Sequence, residues 1–151
     1  MYIGHINLAE SFNGAGEHFV GLIESLRRHS FEQYVLVRNV DLAKRLDLID
    51  GVTVGPAIRS AITAYCLMPA VDVVHIHDTK SAPAGLLLTL TRGVPFVMTR
   101  HCEPGSAMNP LASVVQNRAA GFIDEDRIAV GEHIEMYRRA ADSLRLPTML
   151  L

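Results

Sequence analysis

The chain has little cysteine, little charge and no long apolar run. Its two cysteines, Cys66 and Cys102, fall in different segments without CxxC spacing. Neither a zinc finger nor a disulfide framework is therefore available to hold the fold, and reduced thiols in a cytosolic protein are the default reading. Charged residues make up 20% of the chain and the formal net charge is -2, which excludes the basic excess of a general nucleic-acid binder. No apolar run reaches the ~18 residues of a membrane span, the longest candidate being broken by Pro95 and flanking charges. The opening MYIGHINLAE lacks the basic region and apolar core of a signal peptide. The expected location is cytoplasmic, with peripheral contact at the inner face of a membrane left open. There is no internal repeat, low-complexity tract or linker.

What the chain does have is apolar residues, 49% of 151, with a mean hydropathy of +0.20. That length forms one domain able to bury about two thirds of its unfolded surface without a metal or disulfide. Two stretches organise it, Val71 to Asp78 (VDVVHIHD) and Val94 to His101 (VPFVMTRH). Each is a short, β-branched run ending abruptly in polar groups, the signature of a strand buried on both faces where it leaves a sheet. Earlier strands are expected at Tyr2 to Leu8, Gln33 to Arg38 and Val52 to Val54, with a sixth at Arg127 to Val130 (RIAV).

Helical spacing joins Phe19, Leu22, Ile23 and Leu26 within Ala15 to His29. Further helices are expected over Asp41 to Leu48, with Asp41 as N-cap, over Ile58 to Leu67, and after Ser81-Ala82-Pro83, where Leu86, Leu87 and Leu90 should face the sheet and Gly93 should end the helix. A closing helix carries Ile134, Tyr137, Ala141 and Leu144, and Leu111 to Ala120 is a further helix candidate. Strands alternating with helices, and no hairpin turns, imply an α/β fold: a Rossmann-like, doubly wound parallel sheet in three layers with strand order 3-2-1-4-5-6. Ligands of such sheets sit beyond the strands' carboxyl ends. In that order the loop Glu10 to Gly16 lies beside His77 to Lys80, with Thr99 to Glu103 next in line.

The candidate functional residues follow from that geometry. Gly14 and Gly16 stand at a strand-to-helix junction, where free N–H groups and the positive helix end can hold a phosphate; a plain turn is equally compatible with two glycines. Phe19 stands where a dinucleotide fingerprint has its third glycine, and no acid follows the second strand to grip a ribose. His75 and His77, two apart on a strand, share a face. They can chelate a metal with His101 and Cys102, or His75 can be a packed, hydrogen-bonded histidine with only His77 reaching the cleft. Arg100 and Arg92 are candidates for anionic groups, and Arg27-Arg28 and Arg138-Arg139 for a weak membrane contact.

Four stretches together resemble the N-terminal half of family-4 retaining glycosyltransferases of the GT-B architecture: NGAGEHFVGLIESLRRH, VDVVHIHD, GVPFVMTRHCEP and RIAVGEHIEMYRRA. The second glycine stretch is similar to the family's Gly-x-Pro-x-Val-x-Thr-x-His. The resemblance covers nearly the whole chain in order. Gly131 stands where the family has serine, and Asn13-Gly14-Ala15-Gly16 is a shifted version of its double glycine.

The resemblance implies a nucleotide-sugar donor, held mostly by a C-terminal domain absent from residues 1–151, and a sugar or lipid-linked acceptor held by this one. Gly14 and Gly16 would approach the donor diphosphate, with Glu17 opening the helix. His101 would lie near the transferred sugar as the catalytic residue, and His77, Asp78, Thr99, Arg100 and Glu103 would line the substrate site. Transfer with retention is implied, with no cofactor and no metal, since positive groups and backbone donors stabilise the leaving diphosphate. Little activity is expected without the second domain or a partner chain. The rival expectations are a non-catalytic module binding a phosphorylated or sugar ligand, and a hydrolase with a metal on His75, His77 and His101.

Overall fold

The computed structural model describes residues 1–11, 14–100, 121–124 and 130–143. Six strands form one sheet: β1 (Tyr2–Asn7), β2 (Glu32–Val37), β3 (Val52–Val54), β4 (Val73–Ile76), β5 (Phe96–Arg100) and β6 (Gly121–Asp124). Five helices accompany them: α1 (Gly14–Arg28), α2 (Val40–Asp47), α3 (Ala61–Leu67), α4 (Ala82–Arg92) and α5 (Val130–Ser143). The strand order is 3-2-1-4-5-6 and every pairing is parallel, so the expected Rossmann-like α/β fold is the fold observed. The topological switch lies between β1 and β4.

Side-chain alternation gives the sheet two unlike faces. On one, Ile6, Leu36, Val74, Ile76, Phe96 and Met98 pack against α3 and α4 in an apolar cluster. On the other, Ile3, Val73 and Val97 meet Leu22 and Leu26 of α1 and Ile134, Tyr137 and Ala140 of α5. Toward β2 and β3 that face continues with Phe19, Val20 and Ile23 beneath Leu42 and Leu46 of α2. The apolar stripe expected on α1 is thus buried as a unit.

Four local expectations are corrected. The cap of α2 is Asn39, whose Oδ1 accepts from the Leu42 N–H at 2.8 Å, not Asp41. Ser81 makes no side-chain cap bond to α4; Asp78 Oδ1 accepts from the Ser81 N–H instead. The inward residues of α4 are Ala82, Ala84, Gly85 and Leu88, while Leu90 is 65% exposed. The helix lies too close to β4 and β5 for a large side chain: a Cβ on Gly85 would come 2.9 Å from the Phe96 ring. Finally, the strand beside β5 is Gly121–Asp124, pairing Phe122 with Met98 and Ile123 with Thr99, and Val130 of the RIAV stretch opens α5. Gly93 does end α4, with φ 65° and its N–H on the Leu88 and Thr89 carbonyls. Residues 125–129, the helix candidate Leu111 to Ala120 and the tail Leu144 to Leu151 lie outside the described residues.

Candidate functional site

The carboxyl ends of β2, β1 and β4 are adjacent in the sheet, and the polar residues that follow each strand meet there. Glu10, after β1, lies 3.1 Å from Arg38 Nη1 after β2 and 3.2 Å from Lys80 Nζ after β4. All three side chains are at least one-third exposed. The Lys80 hydrogen bond, and then the Arg38 charge, hold the Glu10 carboxyl below its usual range. Asn39 Nδ2 donates to the Glu10 carbonyl at 2.8 Å, which fixes the same loop to the end of β2.

Asp78 ties the switch point together. Its Oδ2 accepts from the Leu8 N–H at 2.6 Å and from Ser81 Oγ at 2.8 Å, and its Oδ1 accepts from the Ser81 N–H at 2.9 Å. The loop after β1 is thereby fastened to the start of α4. The expected meeting of the Glu10 loop with His77 to Lys80 is therefore present, and Asp78 is its main fastener. Gly14 opens α1 exposed, with nothing within 4 Å of the position its Cβ would take, whereas Gly16 is buried. Glu17 is exposed and paired with Arg45 Nη1 of α2 at 2.6 Å. An exposed helix start following β1 at this carboxyl edge of the sheet is a place where an anion is favoured.

Immediately beneath this rim, on the α1/α5 face, is a buried polar layer. The register aligns His5 of β1 with His75 of β4. His75 is held on both sides: its Nδ1 lies 2.6 Å from the Tyr137 hydroxyl and its Nε2 2.6 Å from Thr99 Oγ1. His5 Nδ1 lies 3.1 Å from His77 Nε2. The His75 and His77 rings stand 3.8 Å apart, and Phe19 covers His77 at 4.2 Å. His133 of α5 and His18 of α1 continue the layer. Burial drives the His5 imidazole down to about 3; hydrogen bonding with Gln33 opposes this and the charge of His133 adds to it. Burial likewise raises the Tyr137 phenol well above its ordinary value.

The packed, hydrogen-bonded reading of His75 is the one observed. His77 is also buried, at 2% exposure, so it lies under the rim rather than in an open cleft. Thr99, 1% exposed, is spent on His75. Arg100 ends β5 at the same rim, while His101, Cys102 and Glu103 lie outside the described residues. Arg92 is corrected: it sits at the far end of α4, donating to the Met68 and Tyr65 carbonyls at 2.7 and 3.0 Å, 4.6 Å over the Tyr65 ring. Arg27 pairs with Asp50 and Arg139 with Glu135. No described helix is long and apolar enough to cross a membrane.

Sequence reasoning missed His5, His18, His133 and the Glu10–Arg38–Lys80 group. The signal for His5 was its alternation with Ile3 and Asn7, which with the strand order sets it beside His75.

No family model matches the chain, and no curated protein matches it. Among solved structures, it is similar to Anabaena Alr3699/HepE in complex with UDP and glucose, with a TM-score of 0.60, 17% identity, and coverage of 81% of this chain and 37% of that one. The complex of the same protein with UDP gives a TM-score of 0.60 at 13% identity, covering 96% of this chain and 41% of that one. The chain thus spans about two fifths of the length of these structures.

Proposed function

We propose that this chain is the acceptor-side half of a glycosyltransferase, transferring a sugar from a nucleotide-sugar donor to a sugar or lipid-linked acceptor. The observation that carries the reading is the convergence at the switch point: Leu8 and Glu10 after β1, with Asp78 and Lys80 after β4, share one rim of the sheet, in a fold similar to a protein solved with UDP and glucose. The rim offers a diphosphate what it needs, an exposed helix start and two cations held in place by one carboxylate. Gly14 and Gly16 approach the donor, Glu17 and Arg45 brace the helix that carries them, and Asp78 holds the loop.

The finer reading is that of a family-4, GT-B enzyme acting with retention, without a cofactor or a catalytic metal. In it His101, Arg100 and Glu103 reach the transferred sugar, His101 being the catalytic residue. His77 and Thr99 support that edge from below. The nucleotide is gripped by a second domain or partner chain, so the piece alone turns over little or nothing. Peripheral membrane contact is part of this reading where the acceptor is lipid-linked.

The test is release of UDP from UDP-glucose by the chain, alone and completed by a nucleotide-sugar-binding α/β domain supplied on the same or a separate polypeptide. Turnover that needs both parts and is lost in His101→Ala at unchanged melting temperature supports the proposal. Binding of nucleotide sugars without turnover by the completed protein would favour the non-catalytic module.

A further inference from the structure

We propose that His5, His75 and His77 form a buried three-histidine binding site for a zinc-like transition-metal ion, which clamps β1 to β4 beneath the rim. The inference is independent of the sugar-transfer reading. One nitrogen from each of the three rings lies within 4.8 Å of the others, and all three residues are buried. The His5 Nδ1 to His77 Nε2 separation of 3.1 Å is close to the ~3.0–3.4 Å between two nitrogens bound at ~2.0–2.1 Å to one ion with tetrahedral or slightly narrower angles. The spacing comes from the sheet itself. Register sets His5 beside His75, and His77 follows two residues on, so three donors come from two adjacent strands.

The donor set selects the ion. Three imidazoles suit zinc, cobalt, nickel or copper, and offer nothing to magnesium or calcium, which take oxygen ligands. A ligating imidazole binds through an unprotonated ring nitrogen, and each of the three rings offers one nitrogen toward the others. The surroundings also match those of ligating histidines, which give their second nitrogen to a protein oxygen. Tyr137 and Thr99 hydroxyls flank His75; on binding, His75 exchanges one of them for the ion and keeps the other as its orienting partner. Gln33 commits its amide nitrogen to the Ile23 carbonyl at 3.0 Å, so its oxygen is the atom available to a His5 N–H. With exposures of 0%, 0% and 2% for His5, His75 and His77, the ion enters while the chain folds and is structural rather than catalytic.

The experiment refolds the whole chain with cobalt, zinc or magnesium after chelator treatment. One cobalt per chain, visible ligand-field bands of a low-coordinate cobalt–imidazole site, and a melting temperature raised by zinc but not by magnesium are expected. His5→Phe and His77→Gln should each lose the bands. Long-range imidazole nitrogen spectra of the unmodified chain should show zinc-induced shifts at His5, His75 and His77, which keeps the test decisive if a variant fails to fold. Substoichiometric metal, bands that survive in both variants, or shifts confined to His18 and His29 would overturn the site.

Discussion

Acidification should weaken the fold through His5, by an amount the structure sets. His5 is fully buried and its imidazole is held at about 3, against an ordinary value of 6.5. The folded-state value lies below the unfolded one, so the unfolded chain takes up the proton first. The folded state therefore suffers no penalty above 6.5, loses stability as pH falls from there, and reaches the full loss near 3. Between those limits each pH unit costs about 1.4 kcal/mol, so moving from pH 7 to pH 5 costs about 2 kcal/mol through this residue. Urea unfolding of the chelator-treated, metal-free chain and of His5→Phe, measured at half-unit steps from pH 7 to pH 5, isolates it, because carboxylates titrate mostly lower. The unmodified chain should lose stability on descending through that window, and the variant's curve should be flatter by about one proton. Parallel curves for the two proteins would refute the assignment of a neutral, buried His5.

Other consequences are as definite. Asp78→Ala should cost about 2 kcal/mol in urea unfolding, since the Leu8 and Ser81 N–H groups both lose their acceptor; a change within ~0.5 kcal/mol, the range of an inert surface substitution, would mean the fastener is dispensable. Gly85→Ala should destabilise by about 1–3 kcal/mol despite alanine's better helix propensity, because the new Cβ meets Phe96; thermal unfolding decides, and a rise in melting temperature would contradict the close approach of α4. Arg92→Ala should cost about 1 kcal/mol through the lost carbonyl bonds, while leaving nucleotide-sugar binding unchanged in a calorimetric titration.

The strand order was legible because each apolar β-branched run alternates with a helical one, which admits few topologies. From that order the meeting of the loop after β1 with the segment His77 to Lys80 followed, though not the ion pairs of Glu10 with Arg38 and Lys80. The errors are local or non-local for identifiable reasons. Three leucines in α4 suggested an apolar face, yet the sheet takes Ala82, Gly85 and Leu88, with Gly85 where a larger residue would meet Phe96, a packing constraint invisible in one helix's pattern. Asn39 and Asp41 are both good capping residues, and the backbone chose the earlier. Of the histidine layer only the pair His75 and His77 was legible; His5, His18 and His133 each read as a lone polar residue in its own segment, and β1, β4, α1 and α5 must be assembled before the five become neighbours.

The central claim is that ligand is met at the rim where β2, β1 and β4 end. Its most direct test is a map of backbone amide shifts in the chain, completed by a nucleotide-sugar-binding domain and titrated with UDP-glucose. The account predicts perturbations at Gly14, Gly16, Glu17, Asp78 and Lys80, with Arg92 and Gly93 at the opposite end of α4 undisturbed. Shifts gathered around Arg92 and Gly93, or none anywhere at saturating ligand, would contradict it.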